Sequence, residues 1–146
     1  MLYLLLTEIG HFSLAALGGL LCYKKFKKHI SFILVVLSGF FIDADHLIDY
    51  LLGHGFSFDL FKFLSGQGYA EVGTAHLFFH AWEWLPVLLV VGWLTKKHYF
   101  FYPLALGLVL HLTLDQFTNP VGPLSYFMTF RVITHFSLAA WTRGTL

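Results

Sequence analysis

The run Leu108-Val109-Leu110-His111-Leu112-Thr113-Leu114-Asp115 sets the tightest limit on what this chain can fold into. It places an imidazole and a carboxylate four residues apart inside an otherwise apolar stretch. At helical spacing, residues i and i+4 share a face, so His111 and Asp115 point the same way. Three other stretches carry the same kind of polar intrusion: His11; Asp43-Ala44-Asp45-His46; and His76 with His80 and Glu83. Groups of this kind are costly in an apolar medium unless they are paired.

Composition names that medium. Hydrophobic residues make up 58% of the 146 residues and charged residues 12%, against about 25% charged in a soluble globular domain. This is the composition of a membrane protein, and the length suits one domain over 1–146. A formal net charge of +1 gives no support for nucleic-acid binding. One cysteine, Cys22, excludes an intrachain disulfide and a thiolate-based metal site, whereas nine histidines leave imidazole–carboxylate sites open.

Met1 to Tyr23 is apolar apart from Thr7, Glu8 and His11, long enough to cross a hydrocarbon core of about 30 Å. It lacks the basic n-region and small-residue cleavage site of a signal peptide and reads as a retained transmembrane helix. After the basic turn 24–29, helix two is expected from Ile30 to Leu52. Its end is rich in acids (Asp43, Asp45, Asp49), where they would oppose the helix dipole. Gly53 to Gly73 reads as a loop holding a short interfacial helix, Phe58 to Leu64, capped by Ser57. Helix three is expected from Thr74 to Leu94, with His76, His80 and Glu83 on one stripe and a kink at Pro86. The turn Lys96-Lys97-His98 leads into helix four, Phe100 to Phe117, which Asn119-Pro120-Val121-Gly122-Pro123 stops. The tail, Ser125 to Leu146, either lies at the interface or folds back over the bundle. The expected class is all-α: a polytopic membrane protein of about four transmembrane helices in a bundle, with an interfacial loop helix and a C-terminal tail.

Lysine-rich turns mark the cytoplasmic side. Both turns connect helix pairs, so they fall on one face if the N-terminus is outside. At ~1.5 Å per residue, His111 stands about 18 Å and Asp115 about 24 Å above that face, with Asp43 and His46 roughly level. His80 and His11 reach the same outer half from the other surface. Five acids then lie in the outer half-helices without a Lys or Arg among them in helices two to four. Histidines interleaved with those acids point to bound metal. The expected ligands are His11, Asp43, Asp45, His46, His76, His80, His111 and Asp115. They would hold one or two divalent ions, zinc first, with iron, manganese or nickel as alternatives. Arg131 and His135 in the tail have no assigned role, although an arginine there has the chemistry to clamp a phosphate.

His11 with Leu14-Ala15-Ala16-Leu17-Gly18, then Asp43-Ala44-Asp45-His46, a mid-chain His pair and His111-xxx-Asp115 together resemble the prokaryotic family of membrane-bound metal-dependent hydrolases. Ile42 stands where that family has proline before Asp-x-Asp-His, and the His76–His80 segment lacks the family's arginine. The His-xxx-Asp element is also distantly similar to one in zinc-dependent phospholipase C enzymes. The resemblance implies a multi-pass protein of a prokaryotic inner membrane.

Imidazole and carboxylate ligands with one open position lower the pKa of a metal-bound water and deliver hydroxide to an electrophile. Glu83 or Asp45 would serve as general base. With the site facing the extracytoplasmic headgroup zone, the expected substrate is a lipid or amphiphile with an ester or phosphoester bond, and the bilayer is the partner. The alternative is a non-catalytic membrane metal-binding protein (a sensor, store or transporter), although the inner half-helices offer few polar stepping stones for transport. A proton-titrated His/Asp cluster without metal is the third reading.

Overall fold

The structure is a computed structural model and describes residues 2–141. Met1 and residues 142–146, with the tail's Arg143, lie outside the described residues. Among the described residues, the helices in chain order are α1 (Leu2–Phe26), α2 (His29–Gly39), α3 (Ala44–His54), α4 (Leu60–Ser65), α5 (Gln67–Val72), α6 (Trp84–Leu94), α7 (His98–Thr118), α8 (Met128–Ile133) and α9 (Leu138–Trp141). A 3₁₀ turn, Phe41–Asp43, separates α2 from α3. The one extended pairing among these residues is a single bridge, Thr74 to Ser137. The all-helical expectation therefore holds. The chain divides into two compact units, Met1–Ile42 with Trp82–Thr118 and Asp43–Ala81 with Asn119–Leu146.

Two helices, α1 and α7, are long and apolar enough to cross a membrane, and α2 with Phe41–His54 makes a third if the broken pair is one span. That is fewer than the four expected. The shortfall lies in helix three, which begins at Trp84 rather than Thr74. Its 11 residues rise only about 16 Å, roughly half of a 30 Å core. Pro86 consequently sits in the first turn of α6, where its missing N–H costs nothing, so the expected kink does not arise.

In the first unit α1, α2 and α7 pack together, and small residues set how closely. A Cβ on Gly107 would come within 2.1 Å of Ser38 Oγ and 2.5 Å of the Val35 carbonyl oxygen, and one on Gly39 within 3.0 Å of Ala15 Cβ. Backbones that approach this closely are the usual contact between helices in lipid. Pro103 inside α7 cannot donate to the carbonyl of Tyr99, four residues back. The buried Ser31 hydroxyl on α2 donates to that carbonyl instead, at 2.6 Å, so no acceptor is orphaned. Lys28 lies over the Tyr99 ring at 3.6 Å, which brings the two basic turns to one end of this unit. Outward faces of α1 remain apolar, with Leu2, Leu6, Leu17 and Leu21 each more than half exposed.

The second unit is built differently. Short helices surround the irregular segment 73–81, and residues 73–75 exchange backbone hydrogen bonds with 136–138 (Ala75 N–H to Phe136 O at 3.1 Å, Leu138 N–H to Gly73 O at 2.9 Å). The short helix expected in this loop is present as α4. Its cap is Asp59 rather than Ser57, because Asp59 Oδ1 accepts the N–H groups of Phe61 and Lys62 at 2.9 and 3.1 Å. The tail folds into this unit through α8 and α9.

Candidate metal centres

Among the described residues, each unit carries one group of three metal-capable side chains: His11, His111 and Asp115 in the first; Asp43, His46 and His80 in the second. In each group the candidate ligand atoms lie within 4.8 Å of one another.

The first group stands one turn beyond the Gly39–Gly107 crossing, toward the end of the unit away from the basic turns. The His11 and His111 rings stack at 4.1 Å. Their Nε2 atoms face the two oxygens of one carboxylate, His11 to Asp115 Oδ1 at 3.2 Å and His111 to Asp115 Oδ2 at 3.3 Å. His111 Nδ1 lies 3.3 Å from the carbonyl oxygen of Gly39. A carbonyl can only accept, so Nδ1 carries the proton. A neutral His111 therefore turns its Nε2 lone pair toward a carboxylate. That contact is repulsive unless a cation, a proton or a metal ion, lies between them. All three residues are buried.

The second group is organised by the break after Gly39. With the chain restarting at Ala44, Asp43 and Asp45 stand at the N-terminal end of α3, where the dipole favours negative charge. The expected unfavourable position at a helix C-terminus is thus inverted. Asp45 and Asp49, one turn apart and both buried on α3, reach the irregular segment. Asp45 Oδ2 accepts Phe79 N–H at 2.7 Å and lies 3.3 Å from His80 Nδ1. Asp49 accepts His76 N–H and His76 Nδ1–H, both at 2.8 Å. The carbonyls of His76, Leu77 and His80 are held by the guanidinium of Arg131, a fully buried side chain, with Nη1 at 2.6 Å from each of the first two and Nη2 against the third. Carboxylates thus hold the segment's N–H groups and an arginine its carbonyls, so residues 74–83 form no helix. His76, His80 and Glu83 consequently share no helical stripe. Leu77, with φ +42°, adds strain of about 1–3 kcal/mol to this segment.

These outer contacts also set the histidine tautomers. Tyr69 donates its hydroxyl proton to the His46 carbonyl at 2.8 Å, and its oxygen lies 3.3 Å from His46 Nδ1. Burial, reinforced by Asp49, Asp45 and Asp43, pushes that phenol well above its ordinary range, so it stays neutral and accepts the Nδ1 proton. His80 Nδ1 is turned to Asp45. Both rings then present Nε2 to Asp43 Oδ1, at 3.7 Å from His46 and 3.3 Å from His80. Donors about 2.0–2.1 Å from a tetrahedral ion stand roughly 3.3–3.4 Å apart, close to these separations. The donor set therefore fits a divalent ion. Asp45 behind His80 is the carboxylate–histidine arrangement that orients metal ligands. The His80 side chain is buried, whereas about a third of each of the Asp43 and His46 side chains is exposed, which leaves solvent a way in.

The nine expected site residues thus separate. Six enter the two groups. Asp45 stands behind His80, His76 pairs with Asp49 outside either group, and Glu83 stands in the first unit at the N-terminal end of α6. Sequence reasoning gave no role to Asp49, Tyr69 or Arg131 in holding the second group. Asp49 was legible as the i+4 partner of Asp45. Tyr69 and Arg131 leave no local signal, since they act across 23 and more than 50 residues. Comparison with protein-family models, curated proteins and solved structures returned no match for this chain.

Proposed function

We propose that the chain is a membrane-embedded, metal-dependent hydrolase of a prokaryotic inner membrane, with its working centre at Asp43, His46 and His80. The observation that carries this reading is the convergence of two tautomer-fixed imidazoles on one carboxylate oxygen beside solvent. Two such contacts require either two protons or one divalent ion, and a single ion satisfies both rings at once. Zinc is the first candidate from the ligand types. An ion there, with an open position, supplies an activated water at neutral pH. The residues do the remainder: Asp45 steadies His80, Tyr69 steadies His46, and Arg131 holds the backbone between them. The chain's apolar helices support a lipid or amphiphile as the substrate, with an ester or phosphoester as the bond cleaved and the extracytoplasmic headgroup zone as the setting proposed for it.

A second reading is favoured by the buried His11, His111 and Asp115. Three buried ligands suit a structural ion or a shared proton that ties α1 to α7, the non-catalytic alternative. Elemental analysis of detergent-purified wild type beside His80→Ala and His111→Ala separates the two. Near two ions per chain, one lost in each variant, supports both centres. Screening phospholipid, lipid phosphate and simple ester substrates then tests hydrolysis. No turnover of any of them by metal-loaded protein would sink the hydrolytic reading.

A further inference from the structure

The second unit also holds a pocket of about 270 Å³ that the metal-centre reading leaves without a role. Asp49, Tyr50, His54, Tyr69, Thr74 and His76 are among its walls. The volume falls just under the roughly 300 Å³ at which pockets begin to hold drug-sized ligands, so its occupant is small. Leu52 and Val72 complete a lining that is more apolar than polar, with hydroxyl and imidazole groups set into it, which suits a small amphiphilic one.

Two of the walls form a pair of recognisable chemistry. Asp49 is buried and receives both the backbone N–H and the Nδ1–H of His76, each at 2.8 Å. Two bonds from one residue fix both the tautomer and the direction of the ring. Phe136 packs against the same imidazole at 4.6 Å. About a third of the His76 side chain remains exposed, so the ring has access to solvent. A carboxylate that orients a histidine and stabilises its charged form is the standard support for proton transfer. The other imidazole in the wall, His54, is turned away to the Tyr50 carbonyl at 3.2 Å and to Glu71 at 3.6 Å. Tyr69 joins the pocket to the metal centre, since it lines the one and hydrogen-bonds His46 of the other.

We infer that Asp49 and His76 form the proton-donating dyad of the reaction, and that the pocket seats the alcohol half of the substrate. This rests on the hydrolytic reading above. In the step, water adds its oxygen to the acyl carbon or phosphorus, and the bond from that atom to the alcohol oxygen breaks. Protonated His76 gives its Nε2 proton to the departing oxygen, and the proton released by the attacking water restores the ring. Asp49 stays ionised throughout. Water is consumed, and an acid and an alcohol are formed.

Two measurements on the full chain in detergent test this. Diethylpyrocarbonate labelling, mapped by peptide mass, reads the nucleophilicity of His76 without any substrate. At about pH 6 its rate, referred to the exposed His29, should rise several-fold in Asp49→Asn, because only the neutral ring reacts and the carboxylate no longer holds the ring's proton. Equal rates in wild type and Asp49→Asn would overturn the dyad whatever the enzyme hydrolyses. The second measurement compares a nitrophenyl ester or phosphoester, whose leaving group needs no proton, with its alkyl counterpart. His76→Gln should lose about 100-fold in kcat on the alkyl substrate and less than about threefold on the nitrophenyl one, with its metal content unchanged. Equal losses on both, or loss of metal, would overturn the donor role and leave His76 a structural residue. If wild type turns over neither substrate, the hydrolytic reading falls and the leaving-group role with it, while labelling still decides whether the dyad exists.

Discussion

The two metal-capable groups use the same side chains and hold them by opposite means. His11, His111 and Asp115 project from long helices, their approach set by Gly39 and Gly107, and are buried. Asp43, His46 and His80 come from a 3₁₀ turn, a short helix and an irregular segment, and are partly open to solvent. Helices hold a site by packing, so the first group depends on neighbouring backbones. The second depends on buried charge, since Arg131, Asp45 and Asp49 replace the backbone bonds that a helix would have made. A closed group suits holding and an open one suits turnover. Rigidity and access are thus divided between the two units.

The sharpest way to break that contrast is Arg131→Met. It strips three carbonyls of a charged donor, at roughly 1.5–3 kcal/mol per bond, so a loss of about 5–9 kcal/mol is expected. Hydrogen exchange should show residues 74–81 losing protection, and the second group should lose its metal. Retained protection would mean that the segment holds itself. Asp115→Ala probes the other side of the comparison. Removing the shared partner of two buried imidazoles should cost about 3 kcal/mol, read as a lower thermal midpoint in detergent. A midpoint within about a degree of wild type would mean that the buried group ties nothing together.

Asp45→Asn sharpens the contrast more gently. It keeps the shape beside His80 but removes the charge, and should weaken metal binding at the second group about 10–100-fold, measured by competition with a chelator. The first group's ion should stay. Loss of both ions together would contradict the assignment of one centre to each unit.

The smallest effect belongs to the exposed pair Lys62–Glu71 at 2.8 Å. The Lys62 hydrogen bond holds the Glu71 carboxyl below its ordinary value. Its contribution is therefore present above the unfolded carboxylate pKa of about 4.3 and disappears as pH falls through the lower folded value. Lys62→Ala should lower the thermal midpoint slightly near pH 7 and not at all well below pH 4. The difference should also vanish in about 1 M salt. Neither metal should respond, which makes this variant the control for the other three.

How much of this was legible in the residues varies by element. α1 and α7 were, because each is a long apolar run between basic or turn-forming residues, and α7 ends at Thr118, one residue past the expected Phe117. The i,i+4 pairing of His111 with Asp115 followed from helical spacing alone. The break after Gly39 was not legible, since Phe40-Phe41-Ile42 continues the apolar pattern without a proline. The same pattern hid the irregular segment 74–83, where His76, His80 and Glu83 keep a helical spacing they do not use.

The sequence by itself determined the apolar character of the chain, its helical content and the interleaving of histidines with acids, because composition and period are local properties. Beyond the His111–Asp115 pair, only the tertiary structure decided which histidine meets which acid across elements. Arg131 reaches the carbonyls of 76–80, Asp45 and Asp49 take that segment's N–H groups, and Tyr69 sets the tautomer of His46. Each of these bonds joins residues 23 or more positions apart, and each is favourable only because burial removes water as the competing partner.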